Sequence, residues 1–170
     1  MNFTRIAPRA SYAVGAVVCA LLLGFAAYLQ YGKGVQPCPL CLVQRAFYYA
    51  LMALFIVAAV HGPGRIGAVA YGALAVLLAA GGASVASRQV WLQHLPPDQV
   101  PQCGPDLFFM LENFPLGQAL QKLFAGSGEC AALDWSFLGL TTAGWSLAWF
   151  VLLALYALWL MRAGATGTRR

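Results

Sequence analysis

The densest chemistry in this chain lies in Pro37-Cys38-Pro39-Leu40-Cys41-Leu42-Val43-Gln44-Arg45. Two cysteines in a C-x-x-C spacing can close on each other as a small disulfide or stand open as a reactive dithiol. Pro39 lacks an N–H and fixes its own φ, which suits the turn that opens a helix. Cys41 then falls near the first turn, where unpaired backbone N–H groups and the helix dipole stabilise an anion. Arg45 follows four residues on, one turn away and on the same face. A thiol placed there ionises more easily than the free value of about 8.5. The pattern points to redox chemistry at a membrane surface.

The membrane follows from composition. The 170 residues are 61% hydrophobic and only 9% charged, where a soluble domain carries roughly a quarter charged residues; the mean hydropathy is +0.72. Four runs are free of charge: 10–32, 46–64, 66–87 and 135–161. Each is near or above the roughly 18–20 residues that cross a bilayer as a helix. The expected fold is therefore an all-α, four-helix transmembrane bundle forming one integral membrane domain over 1–170. Its spans fall at about 12–31, 42–60, 66–87 and 143–161. The first has a basic start and small residues at Gly24, Ala26 and Ala27. Its apolar run exceeds the roughly 7–15 residues of a signal-peptide core, so it is read as a retained span.

The net charge of +5 is topology, not a nucleic-acid footprint. All five acids (Asp98, Asp106, Glu112, Glu129 and Asp134) fall in the long connection before the fourth span. Arg5, Arg9, Arg65, Arg162, Arg169 and Arg170 occupy the termini and the 62–65 turn, with no acid beside them. By the positive-inside rule, the termini and that turn are cytoplasmic, and the connections at about 32–41 and 88–142 lie outside.

Four of the five cysteines then share the outer side: Cys38 and Cys41 in one connection, Cys103 and Cys130 in the other. An oxidising compartment favours disulfides, and four cysteines permit three pairings. Closure of the C-x-x-C leaves Cys103 with Cys130. That second pair either staples a loop or serves as a second redox station, since exchange requires only that a thiolate reach a disulfide sulfur. The spacing is weak evidence for zinc, which favours paired C-x-x-C knuckles. Cys19, inside the first span, is read as a small hydrophobe.

The remaining elements position these groups. Residues 88–95 continue the third helix past the interface, and Pro96-Pro97 stops it. Cys103 sits in the turn-rich Pro101-Gln102-Cys103-Gly104-Pro105. Leu116, Ala119, Leu120, Leu123 and Phe124 recur at one-faced helical spacing, which predicts a short amphipathic helix lying flat on the membrane. Gly81, Gly82, Ala83 and Ser84 give the third span a small-residue face for close helix contact. Arg45 alone reads as a snorkelling anchor; one turn beyond Cys41 it competes as a functional group. His94 is either a solvated helix-end residue or a contact for a polar head group.

Taken together, the C-x-x-C-x-x-x-R heading span two, the second cysteine pair in a long outer loop, Trp91-Leu92-Gln93-His94-Leu95-Pro96, and Trp135-x-Phe137-Leu138-Gly139-Leu140 resemble the bacterial disulfide bond formation protein B (DsbB) family. The resemblance spans nearly the whole chain. It implies an inner-membrane oxidoreductase that reoxidises the periplasmic thiol oxidase DsbA and passes the electrons to a membrane quinone, ubiquinone or menaquinone. It further implies that Cys103 meets the partner, that Cys130 engages Cys38, and that Cys41 is left as the thiolate facing the quinone. Arg45, with His94 as a further contact, would serve the quinone site. Gln44 stands where some relatives carry an acid, and Thr141-Thr142 makes the wall on span four a departure. Two other readings are a vitamin K epoxide reductase-like enzyme and a non-catalytic tetraspan scaffold. The first usually carries its quinone-proximal C-x-x-C late in the chain, whereas here it is early. In the second the cysteines only staple loops.

Overall fold

The computed structural model describes residues 8–96, 98–99, 114–115, 117–118, 128–131 and 135–166. Cys103 and the one-faced periodicity at 116, 119, 120, 123 and 124 lie outside the described residues. The elements are α1 (Pro8–Lys33), α2 (Pro39–His61), α3 (Arg65–Gln93), α4 (Gly128–Ala131), β1 (Ser136–Phe137), β2 (Leu140–Thr141) and α5 (Thr142–Thr166). The four long helices contain 26, 23, 29 and 25 residues. At about 1.5 Å per residue, each exceeds the roughly 30 Å of a hydrocarbon core. All four are apolar and long enough to cross a membrane. The chain is a multi-pass membrane protein built as a four-helix bundle.

Local sequence sets the helix ends. Cys38 is the N-cap of α2, extended at φ −68° and ψ 163°, with Pro39 in the first turn. At the other end Gly62 takes the left-handed conformation, φ 61°, and its N–H bonds the Ala58 carbonyl at 2.9 Å. This lets the chain reverse into α3 within three residues, the cost of a positive φ being small for glycine. Helix α3 runs without a break from Arg65 to Gln93.

Packing is tightest where side chains are smallest. Helix α3 buries a stripe of Ala68, Gly72, Ala75, Ala79, Gly82, Val85, Ala86, Gln89 and Leu92, and its most extensive partner is α5. A Cβ on Gly82 would come within 2.7 Å of the Phe150 ring, which is itself fully buried and stacked on Tyr48 at 4.2 Å between centroids. Replacing Gly82 with valine is therefore expected to destabilise the bundle by about 1–3 kcal/mol. Thermal unfolding in detergent checks this, and an unchanged midpoint would contradict the close contact. Cys19 is sealed in the same core beside Tyr12, Leu51 and Phe55.

Helices α1 and α5, by contrast, approach closely at few positions. A gap is left between them at the end of the bundle that carries the cysteines. Residues 135–141 partly roof it as a hairpin. Ser136 pairs with Thr141 and Phe137 with Leu140 in an antiparallel register. Leu138 and Gly139 form the turn with φ values of 51° and 78°, the two positive angles of a type I′ turn. No strand is evident here from the sequence, because leucine is a rare residue at a left-handed position. Thr141 ties the hairpin to α3: its Oγ1 donates to Gln93 Oε1 at 2.8 Å and accepts the Gly144 N–H at 3.2 Å.

Candidate active site

The first turn of α2 presents the C-x-x-C pair toward α3 and α4. Cys38 and Cys41 stand as free thiols with their sulfurs 2.7 Å apart, a placement from which a disulfide can close. The cap geometry fixes Cys38, whose Sγ accepts the Cys41 backbone N–H at 3.3 Å. Cys130, delivered by α4, is fully buried. It packs with Cys38, Leu40, Val85 and Leu92 and shares a hydrogen bond with the Cys38 thiol. That bond, the one with Cys41, and burial all push the Cys38 thiol above the usual cysteine range. Three cysteines from two separate connections thus meet in one cluster.

Below the cluster lies a cavity of about 350 Å³, filling the gap between α1 and α5. Cys38, Cys41, Gln44, Arg45 and Gln89 line it at the cysteine end; Trp135, Phe137, Trp145 and Trp149 line it on the hairpin and α5 side, facing Leu22, Phe25 and Ala26 of α1. Phe25 meets Trp135 edge-on at 5.6 Å, and Trp135 stacks on Phe137 at 6.0 Å. Trp145 Nε1 donates to the Phe137 carbonyl at 3.0 Å, holding the hairpin against α5. Thr142 also lines the wall. An apolar, aromatic slot with a few convergent polar groups at one end is the usual form of a small-molecule site.

Arg45 reaches this cavity from one turn below Cys41, and α1 holds it. Its Nη1 donates to Gln30 Oε1 at 2.5 Å and its Nη2 to the Ala26 carbonyl at 3.1 Å. Half-buried against apolar walls, the guanidinium provides the cavity's positive charge. His94 stands apart. It is exposed on the C-cap of α3, Nδ1 donates to the Val90 carbonyl at 2.8 Å, and it is not among the cavity-lining residues.

Two residues that sequence reasoning did not place in the site belong to it. Gln89 is 3% exposed and Gln44 5%. Gln89 Nε2 donates to Cys41 Sγ at 3.2 Å and to Cys38 Sγ at 3.3 Å, while Gln44 Nε2 donates to Gln89 Oε1 at 2.7 Å. From the sequence, Gln44 stands out only as the residue before Arg45, and Gln89 does not stand out at all. A signal existed: 82, 85, 86, 89 and 92 recur at core spacing on α3, and a glutamine in an otherwise apolar stripe requires a buried partner.

A family model described as Disulfide bond formation protein DsbB matches residues 8–160. The chain belongs to this family. DsbB-type relatives, each named disulfide bond formation protein B, align over most of their length. The protein of Azoarcus sp. is 50% identical over 84% of this chain and 86% of its own. That of Chromobacterium violaceum is 47% identical over 92% and 95%, and that of Nitrosococcus oceani 46% over 96% and 95%. Family and architecture together make this DsbB-family chain a disulfide-forming oxidoreductase of the membrane.

Proposed function

We propose that the chain is a quinone-dependent thiol oxidoreductase of the bacterial inner membrane that reoxidises a periplasmic DsbA-like dithiol oxidase. In this reading both termini are cytoplasmic and the cysteine end is periplasmic. The observation that carries it is the meeting of Cys130 with Cys38 at the head of an aromatic-walled cavity.

The relay is a series of balanced thiol–disulfide exchanges. A thiolate of the partner attacks Cys103 in the Cys103–Cys130 disulfide; a mixed disulfide forms and Cys130 leaves as a thiolate. Cys130 attacks Cys38 of the Cys38–Cys41 disulfide, and Cys41 leaves as a thiolate. The partner's second thiol then displaces Cys103, completing the partner's own disulfide. Cys103 attacks Cys130, restoring the loop pair and freeing Cys38. Two electrons have moved from the partner to the Cys38–Cys41 pair, and the two protons given up by the partner's dithiol pass through water to the reduced pair.

The cavity suits a quinone, ubiquinone or menaquinone, on the chemistry of its lining: aromatic faces for a flat ring and a guanidinium for a ring oxygen. Trp145, Trp149 and Phe137 would hold the ring, and Arg45 would hold an oxygen. When bound, a quinone supplies the two-electron acceptor that lets Cys38 and Cys41 close again. Cys41 stands at the cavity wall, and Arg45 brings positive charge to a place where negative charge develops.

Anaerobic mixing of the purified protein with a reduced DsbA-like partner and a soluble quinone tests the reading by absorbance. One quinone reduced per partner dithiol oxidised is expected; partner oxidation with no loss of quinone would overturn it. Arg45→Ala is expected to raise the apparent KM for quinone about tenfold, the loss of one charge-assisted hydrogen bond, while partner-driven exchange at the loop continues. An unchanged KM would return Arg45 to the role of a membrane anchor.

A further inference from the structure

The proposed relay requires a negative charge on Cys41 each time its disulfide opens, yet Arg45 is bonded to α1. Among the described residues, the side chain that donates to both sulfurs is the Gln89 amide. We propose that Gln89 is a catalytic residue whose NH2 group bonds both sulfurs of the Cys38–Cys41 pair, and that Gln44 is the positioning residue that fixes which end of that amide faces them. The inference deepens the thiol relay above and rests on that reading.

A primary amide has two N–H donors on nitrogen and only acceptors on oxygen. Both donors of Gln89 are used on the dithiol, at 3.2 Å to Cys41 and 3.3 Å to Cys38. Its oxygen accepts from Gln44 at 2.7 Å and, at the longer distance of 3.6 Å, from the protonated Cys41 thiol. Reversal of the amide would aim an oxygen lone pair at an anionic sulfur and break the short bond to Gln44. Both glutamines are almost fully buried, so little water competes and each bond is electrostatically stronger than at a surface. The assembly spans the bundle: Cys38, Cys41 and Gln44 come from the head of α2, and Gln89 from α3. It is neutral, so its donation does not depend on pH in the range where thiols titrate. Among the described residues, the titratable groups facing Cys41 are Cys38 beside it, Cys130 from α4, and Arg45 and Tyr48 on the cavity wall; the cavity-lining residues of α1 and α5 include none.

The test is the pH profile of Cys41 alkylation by iodoacetamide in the fully reduced, full-length protein in detergent, read by fragment mass spectrometry. Neither quinone nor partner takes part, so its failure is distinct from failure of the relay. Gln89→Met and Gln44→Met keep side-chain volume and so retain packing. Gln89→Met is expected to move the profile up by about one to two pH units, the loss of a hydrogen bond to a charged group. Gln44→Met, which frees the amide to rotate, is expected to move it up by a smaller amount. Gln89→Glu, which sets a carboxylate against the sulfurs, is expected to move it farther than Gln89→Met. A profile unchanged in either methionine variant would overturn the proposal.

Discussion

Cys41→Ser is expected to stop electron delivery to quinone, lowering the rate by at least about a thousandfold, as removal of an essential reacting group does. Serine forms no disulfide and does not ionise near neutral pH, so the last exchange has no sulfur to release. The structure adds a second expectation. Cys130 lies against Cys38, and with Cys41 gone Cys38 attacks the loop disulfide at Cys130 and stays there. A Cys38–Cys130 crosslink with a free Cys103 is therefore expected to accumulate, visible by disulfide mapping. Quinone reduction undiminished in the variant would overturn the assignment of Cys41.

Cys103→Ser is expected to abolish the reaction with the partner protein, again by at least about a thousandfold, while the Cys38–Cys41 pair stays in place. The check is a trapping experiment. A partner reduced to its single nucleophilic cysteine is expected to form a mixed disulfide with the unaltered chain and none with Cys103→Ser. A covalent complex of undiminished yield in the variant would move the point of attack to another cysteine. This pair of substitutions separates the two ends of the relay, one facing the protein partner and the other the cavity.

Much of the architecture was legible because membranes impose a coarse rule. Charge-free runs of sufficient length must become helices, since no other open structure satisfies the backbone in lipid. Pro39 and the C-x-x-C likewise announced the head of α2, and Cys41 does line a cavity there. What sequence patterning missed are features created when helices meet. Gln30 is one polar residue near the end of α1, and only the bundle shows that it accepts from Arg45. Gln89 was hidden because core spacing was read for its apolar members. The hairpin at 136–141 was hidden by Leu138, 78% exposed at a left-handed φ where turn chemistry favours glycine or asparagine.

Photolabelling tests the central claim most directly. Membranes carrying the protein are irradiated with a quinone bearing a photoreactive group on its ring, and the labelled peptides are mapped. Label is predicted on the α2 head between Cys38 and Tyr48 and on the hairpin and α5 between Trp135 and Trp149, with Arg45→Ala reducing both. Label confined to the opposite end of the bundle, around His61 and Tyr71, would contradict the account.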